Sequence, residues 1–186
     1  MKGVRRIEPL FQTEKQISFE KDFLSGWEHY DVWEEIEVGR TYQGANEYVV
    51  KQEDLLYYHQ TMGETDPLLV DPEYAEECSP TGNVVAHPLF LVSMLFYCLG
   101  SKGPGTWLRT PGSMNPFQDV ELREPILVGD RIRLSLTTVD RFVRRGKHYI
   151  TNLNEFVASG DQVKVRAWGT LIVPPTRKEI QKFINA

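Results

Sequence analysis

The chain has 186 residues, 41% hydrophobic and 11% aromatic, which suffices to bury one sizeable core and is too little for two domains of usual size. Its 21 Lys and Arg against 26 Asp and Glu give a formal net charge of -5, a field that disfavours general binding to nucleic acid or to an anionic membrane surface. The amino terminus shows no charged-then-apolar leader, and Cys78 and Cys98 make no disulfide pattern, so a cytoplasmic protein is expected. The longest apolar stretch, Val84 to Leu99, is interrupted by His87, Pro88 and Ser93 and is shorter than the roughly 20 residues that span a bilayer.

In chain order, residues 1–33 mix charges with scattered aromatics and read as an extension that packs on the body or on a partner. Thr41-Tyr42-Gln43 and Tyr48-Val49-Val50 are short β-prone runs. From Lys51 to Met62 the residues Leu55, Leu56, Tyr58, His59 and Met62 recur at near-helical spacing behind Glu53 and Asp54, acids that suit a helix N-terminus. A loop with several breakers follows from Gly63 to Asn83, with a short helical piece at Pro72 to Glu77. It exceeds the roughly 12 to 15 residues beyond which loops are usually functional or disordered.

The run Val84 to Leu99 is apolar on nearly every face and predicts a helix buried almost all round, stopped by Gly100 and Gly103-Pro104-Gly105. The last third alternates instead. Val120 and Leu122, Ile132 to Val139, Tyr149 to Phe156 and Val163 to Val173 read as strands joined by turns at Val128-Gly129-Asp130, Arg145-Gly146-Lys147 and Ser159-Gly160-Asp161. Pro174-Pro175 ends the sheet, and Arg177 to Ile184 forms a terminal helical piece. The body thus spans residues 34–176, with a tail at 177–186. An apolar helix of this length must be wrapped, and the material for wrapping it is an antiparallel sheet. The expected architecture is the α+β hot-dog fold, with an exposed sheet edge that favours a dimer, homo- or heteromeric.

Three motifs carry a family resemblance. Gly63-Glu64-Thr65-Asp66-Pro67-Leu68-Leu69, then Val84-Val85-Ala86-His87, then Pro125 to Asp130 with its Gly129-Asp130 turn, resemble the MaoC-like acyl dehydratases and (R)-specific enoyl-CoA hydratases over about Thr41 to Val173. The resemblance implies binding of an acyl thioester carried on coenzyme A or acyl carrier protein, with no further cofactor. It also implies that an Asp and a His hold one water as base and acid. Here the Asp position is Glu64, the Asn position is Asp66 and the His position is Leu69. The family's backbone N–H that stabilises the thioester enolate falls at Pro88, which has none. Such departures resemble the non-catalytic halves of double hot-dog hydratases. They imply a substrate-holding subunit that pairs with a catalytic hot-dog partner. The alternatives are a self-sufficient hydratase using Glu64 with His87, and a non-enzymatic acyl-thioester binding module.

Each residue has a plainer reading beside this one. Glu64 is also a solvated loop acid, Asp66 before Pro67 is also a turn initiator, and His87 is also a hydrogen-bonded core histidine. His59 and His29 show no partner pattern, and no spacing suggests a metal site. Arg141, Arg144, Arg145, Lys147 and His148 cluster at a hairpin tip and suit the phosphates of coenzyme A, or form a solvated turn. Lys102 to Asn115 reads as a mobile or partner-facing loop. In and beside it, Trp107 and Phe117 are candidates to line an acyl tunnel, with core or dimer packing as the alternative.

Overall fold

The computed structural model describes residues 12–18, 26–100 and 105–185. Parts of the amino-terminal extension and of the loop from Lys102 fall outside them. The described part of the extension includes α1 (Glu14–Ser18), and it does pack on the body. Lys15 pairs with the buried Asp54, and the Trp33 ring N–H donates to the Tyr149 carbonyl at 2.9 Å.

Strands β1 (Thr41–Gln43) and β2 (Tyr48–Val49) precede helices α2 (Gln52–Met62), α3 (Pro67–Val70), α4 (Pro72–Cys78) and α5 (Leu91–Leu99). Strands β3 (Met114–Leu122), β4 (Arg131–Arg144), β5 (Lys147–Val157) and β6 (Val163–Ile172) follow, and α6 (Arg177–Asn185) closes the chain. The sheet runs β1-β4-β5-β6-β3, antiparallel throughout, with β2 also on β4. The β4–β5 turn has Arg145 and Gly146 both at positive φ, 51° and 69°, the backbone that matches the strand twist in a two-residue hairpin.

Alternation sets the core. Ile132, Leu134 and Leu136 of β4, Ile150 and Phe156 of β5, and Val165, Ala167 and Leu171 of β6 face one side and are buried. Against them lie Leu91, Met94, Leu95, Cys98 and Leu99 of α5. Cys98 is inert there, its thiol pushed up to about 12 by burial. Gly44 lets the β1–β2 connection cross the end of α5, since a Cβ at that position would lie 2.6 Å from the Cys98 carbonyl oxygen.

Two expectations about the central helix are corrected. It does not begin at Val84: residues Val84 to His87 are non-helical, with the Ala86 N–H donating to Ile126 at 3.0 Å and Val85 bridging Leu127. Proline disfavours helical backbone in the residue before it, and His87 accordingly sits at φ -59°, ψ 143°, so the first turn starts at Pro88. Nor is the helix buried all round, because Leu89 and Val92 are 48% and 38% exposed. A third departure lies in the loop, where Pro67–Val70 forms a helical turn that its breakers did not suggest.

Candidate functional site

Three local devices deliver the site. Helix α2 ends at Gly63 in the left-handed conformation (φ 74°), and the Glu64 N–H donates to the His59 carbonyl at 3.0 Å, which places Glu64 directly behind the cap. Asp66 and Asp71 cap α3 and α4, each with a proline at the first helical position, and so fold the connecting segment back. His87 caps the turn at Pro88: its Nδ1 accepts the Leu89 N–H at 3.1 Å. The His87 proton therefore sits on Nε2, which faces Glu64 Oε1 at 3.3 Å.

His59 joins these segments. It is fully buried on α2. Its Nε2 accepts the His87 backbone N–H at 3.1 Å, and its Nδ1–H donates to the Leu69 carbonyl at 2.7 Å. Burial holds its pKa below the ordinary histidine value. The Tyr58 ring stands 6.0 Å from the His87 ring and meets Phe90 edge-on at 5.3 Å.

Beside this cluster is a cavity of about 410 Å³ lined by Leu69, Ala86, His87 and Pro88 on one side and by Leu122 to Ile126 and Val165 on the other. A second cavity, of about 350 Å³, lies behind Tyr58 and is walled by Tyr48, Tyr57, Phe90, Phe96 and Tyr97. Among the described residues, no group of three or more His, Cys, Asp or Glu could hold a metal ion. No helix among them is long and apolar enough to cross a membrane.

Of the residues singled out from the sequence, Glu64, His87 and Pro88 are brought together. Asp66 is not, because its carboxylate accepts the Leu68 N–H at 2.9 Å as a helix cap. Trp107 is fully buried, edge-on to Tyr42 at 5.3 Å, and lines none of the described cavities, so it is a core residue. Phe117 is 61% exposed on β3, the terminal strand of the sheet, and lines none of these cavities either.

Arg144, Arg145 and Lys147 are exposed at the β4–β5 tip. Phe156, whose partner Val165 lines the cavity, lies at the other end of β5. At about 3.3 Å per residue the tip is therefore on the order of 30 Å from that cavity within this chain. Arg141 serves structure: its guanidinium lies 4.5 Å over the Trp33 ring and donates to the Ile36 carbonyl at 2.8 Å. His59 was missed. The available signal was its place one turn after Leu55 on the core face of α2, where a polar residue must find a partner.

A central helix cradled by a five-strand antiparallel path, with the loop and helix start meeting over a cavity, defines the α+β hot-dog class. Residues 37–166 match the model of the family described as FAS1-like, dehydratase domain region. The 3-hydroxybutyryl-CoA dehydratase of Methylorubrum extorquens is 24% identical over 113 residues, covering 61% of this chain and 67% of that protein. A MaoC-like dehydratase from Rhodospirillum rubrum superposes with a TM-score of 0.63 at 16% identity, covering 78% of this chain and 98% of the other. The HadBC (3R-hydroxyacyl-ACP dehydratase) complex of Mycobacterium tuberculosis provides a further match, with a TM-score of 0.64 at 16% identity over 75% of this chain and 98% of that one. The chain belongs to the FAS1-like dehydratase-region family, and it shares the hot-dog fold of the MaoC-like dehydratase structure.

Proposed function

We propose that this chain is the acyl-thioester-holding subunit of an enoyl-thioester hydratase or 3-hydroxyacyl-thioester dehydratase, acting with a second hot-dog subunit that supplies acid and base. One observation carries this reading: the helix entrance has no backbone donor to offer. The N–H of Ala86 goes to Ile126, that of His87 to the His59 ring, that of Leu89 to the His87 ring and that of Phe90 to the His87 carbonyl. Pro88 has no N–H. Adding water to an enoyl thioester builds negative charge on the thioester oxygen, and losing one preorganised donor to such an oxygen costs on the order of 100- to 1000-fold in rate.

What remains suits binding. Leu69 and Pro88 present apolar surface to the 410 Å³ cavity where the acyl group and its carrier arm, coenzyme A or acyl carrier protein, can lie. The partner has a natural seat on β3, a terminal strand whose Met114, Phe117 and Leu122 are 52%, 61% and 52% exposed. The likeness to a protein solved as a HadBC complex supports a two-subunit assembly.

A second reading is a self-sufficient hydratase. It is favoured by the 3.3 Å contact of Glu64 with His87, a carboxylate and an imidazole within reach of one water. The test is crotonyl-CoA binding and hydration by the purified chain, alone and co-expressed with a hot-dog protein encoded beside it. The expected result is binding without hydration alone, and hydration by the complex. Hydration by the chain alone, abolished in Glu64→Gln, establishes the second reading instead. Binding without hydration in either preparation leaves a binding module.

A further inference from the structure

His59 lines none of the described cavities, yet both of its hydrogen-bond partners belong to residues that line the larger one: the carbonyl of Leu69 and the N–H of His87. A backbone N–H can only donate, so Nε2 must offer a lone pair. A carbonyl can only accept, so the ring proton must be on Nδ1. His87 carries the opposite tautomer, because its Nδ1 accepts from Leu89, which leaves the ring proton on Nε2, the nitrogen 3.3 Å from Glu64 Oε1. A second proton on His59 has only Nε2 to occupy, where it meets the His87 N–H head-on.

We propose that His59 is the positioning residue of this site: as a neutral imidazole it ties the Leu69 turn to the His87 entrance, sets the shape of the cavity mouth, and makes thioester binding there fail in acid. The inference rests on the reading of that cavity as the thioester site. The ionisable groups that face His59 are Glu64 on the loop and His87 at the helix entrance, with Tyr58 beside it on its own helix. Protonation pushes the His87 backbone away, and with it Pro88 and the cavity wall. Glu64 then loses its place opposite the His87 ring. A glutamine at position 59 carries one acceptor and one amide donor group and does not titrate, so it can keep both bonds at any pH.

The test uses the full chain in two measurements. Long-range proton–nitrogen spectra of the histidine rings should show His59 protonated on Nδ1 and His87 on Nε2. Crotonyl-CoA affinity is then followed from about pH 8 to about pH 5.5, the range in which histidines titrate, for wild type, His59→Gln and His59→Leu. At the upper pH, His59→Gln should stay within about threefold of wild type and His59→Leu should bind at least about tenfold more weakly, the scale of a buried hydrogen bond left unmade. On acidification, the decline seen in wild type should be largely absent from His59→Gln.

A His59 protonated on Nε2 at neutral pH overturns the inference, as does an unchanged acid decline in His59→Gln. If crotonyl-CoA binds at no pH, the thioester reading fails by itself. The spectra still decide His59, because His87 ring resonances that stay put in His59→Leu show that it positions nothing.

Discussion

The Glu64 carboxylate and the His87 imidazole meet at 3.3 Å, the first placed by the C-cap of one helix and the second by its own cap on the first turn of another. The pair looks like an acid and a base. Its surroundings argue for a different use, since the ring is locked on one side by the Leu89 N–H and the neighbouring backbone donors are all occupied.

For the two-subunit enzyme, Glu64→Gln is therefore a mild change. The complex should keep crotonyl-CoA hydration within about tenfold of wild type if, as proposed, the acid and base come from the partner. A fall of ~100-fold or more, the usual cost of removing an essential acid or base, transfers the chemistry to Glu64.

Acid should weaken the fold through His59. Its pKa is depressed by burial, so near pH 6 the unfolded chain binds more of this proton than the folded one. Stability from this group is complete above the ordinary histidine value near 6.5 and is lost as pH falls below it. Urea unfolding at about pH 8 and about pH 5.5 should show a larger drop for wild type than for His59→Gln. Equal drops assign the loss to other groups.

Gly44→Ala should cost about 1–3 kcal/mol, the range for forcing extra volume into a packed interior. The added Cβ would lie 2.6 Å from backbone, the Cys98 carbonyl oxygen, which cannot swing aside as a side chain can. Chemical denaturation measures it, and an unchanged midpoint contradicts the close crossing.

Association through the sheet edge should depend on β3. Phe117→Asp puts a charge at a position 61% exposed in the single chain. In sedimentation it should convert an assembled species to monomer while the circular dichroism spectrum is kept. An assembly unaffected by this change uses another face.

Much of the fold was legible in the residues. Gly129, Arg145 and Gly146 sit at the turns where a positive φ is needed, and the alternation of Ile132, Leu134 and Leu136 set the buried face of β4. Helix α2 and the small helix at Pro72 were legible for the same reason, since caps and periodicity are properties of neighbouring residues. The central helix was over-extended because hydrophobicity alone does not register what Pro88 does to His87.

The site was legible only in its parts. Glu64, His87 and Pro88 stood out by resemblance, and the loss of an N–H at Pro88 follows from covalent structure. That Asp66 is a cap, that Trp107 is core and that the hairpin cations lie far along the sheet depended on where β5 and α3 run.

The amino-acid order by itself determined the turns, the strand faces and the missing donor, because each depends on a few adjacent residues. Tertiary structure alone decided that His59 meets the His87 N–H, 28 positions away, and the Leu69 carbonyl, both on residues that line the larger cavity. The partners of a buried imidazole are chosen by which backbone groups the packing of α2 against the helix entrance leaves unsatisfied, and no local pattern contains that choice.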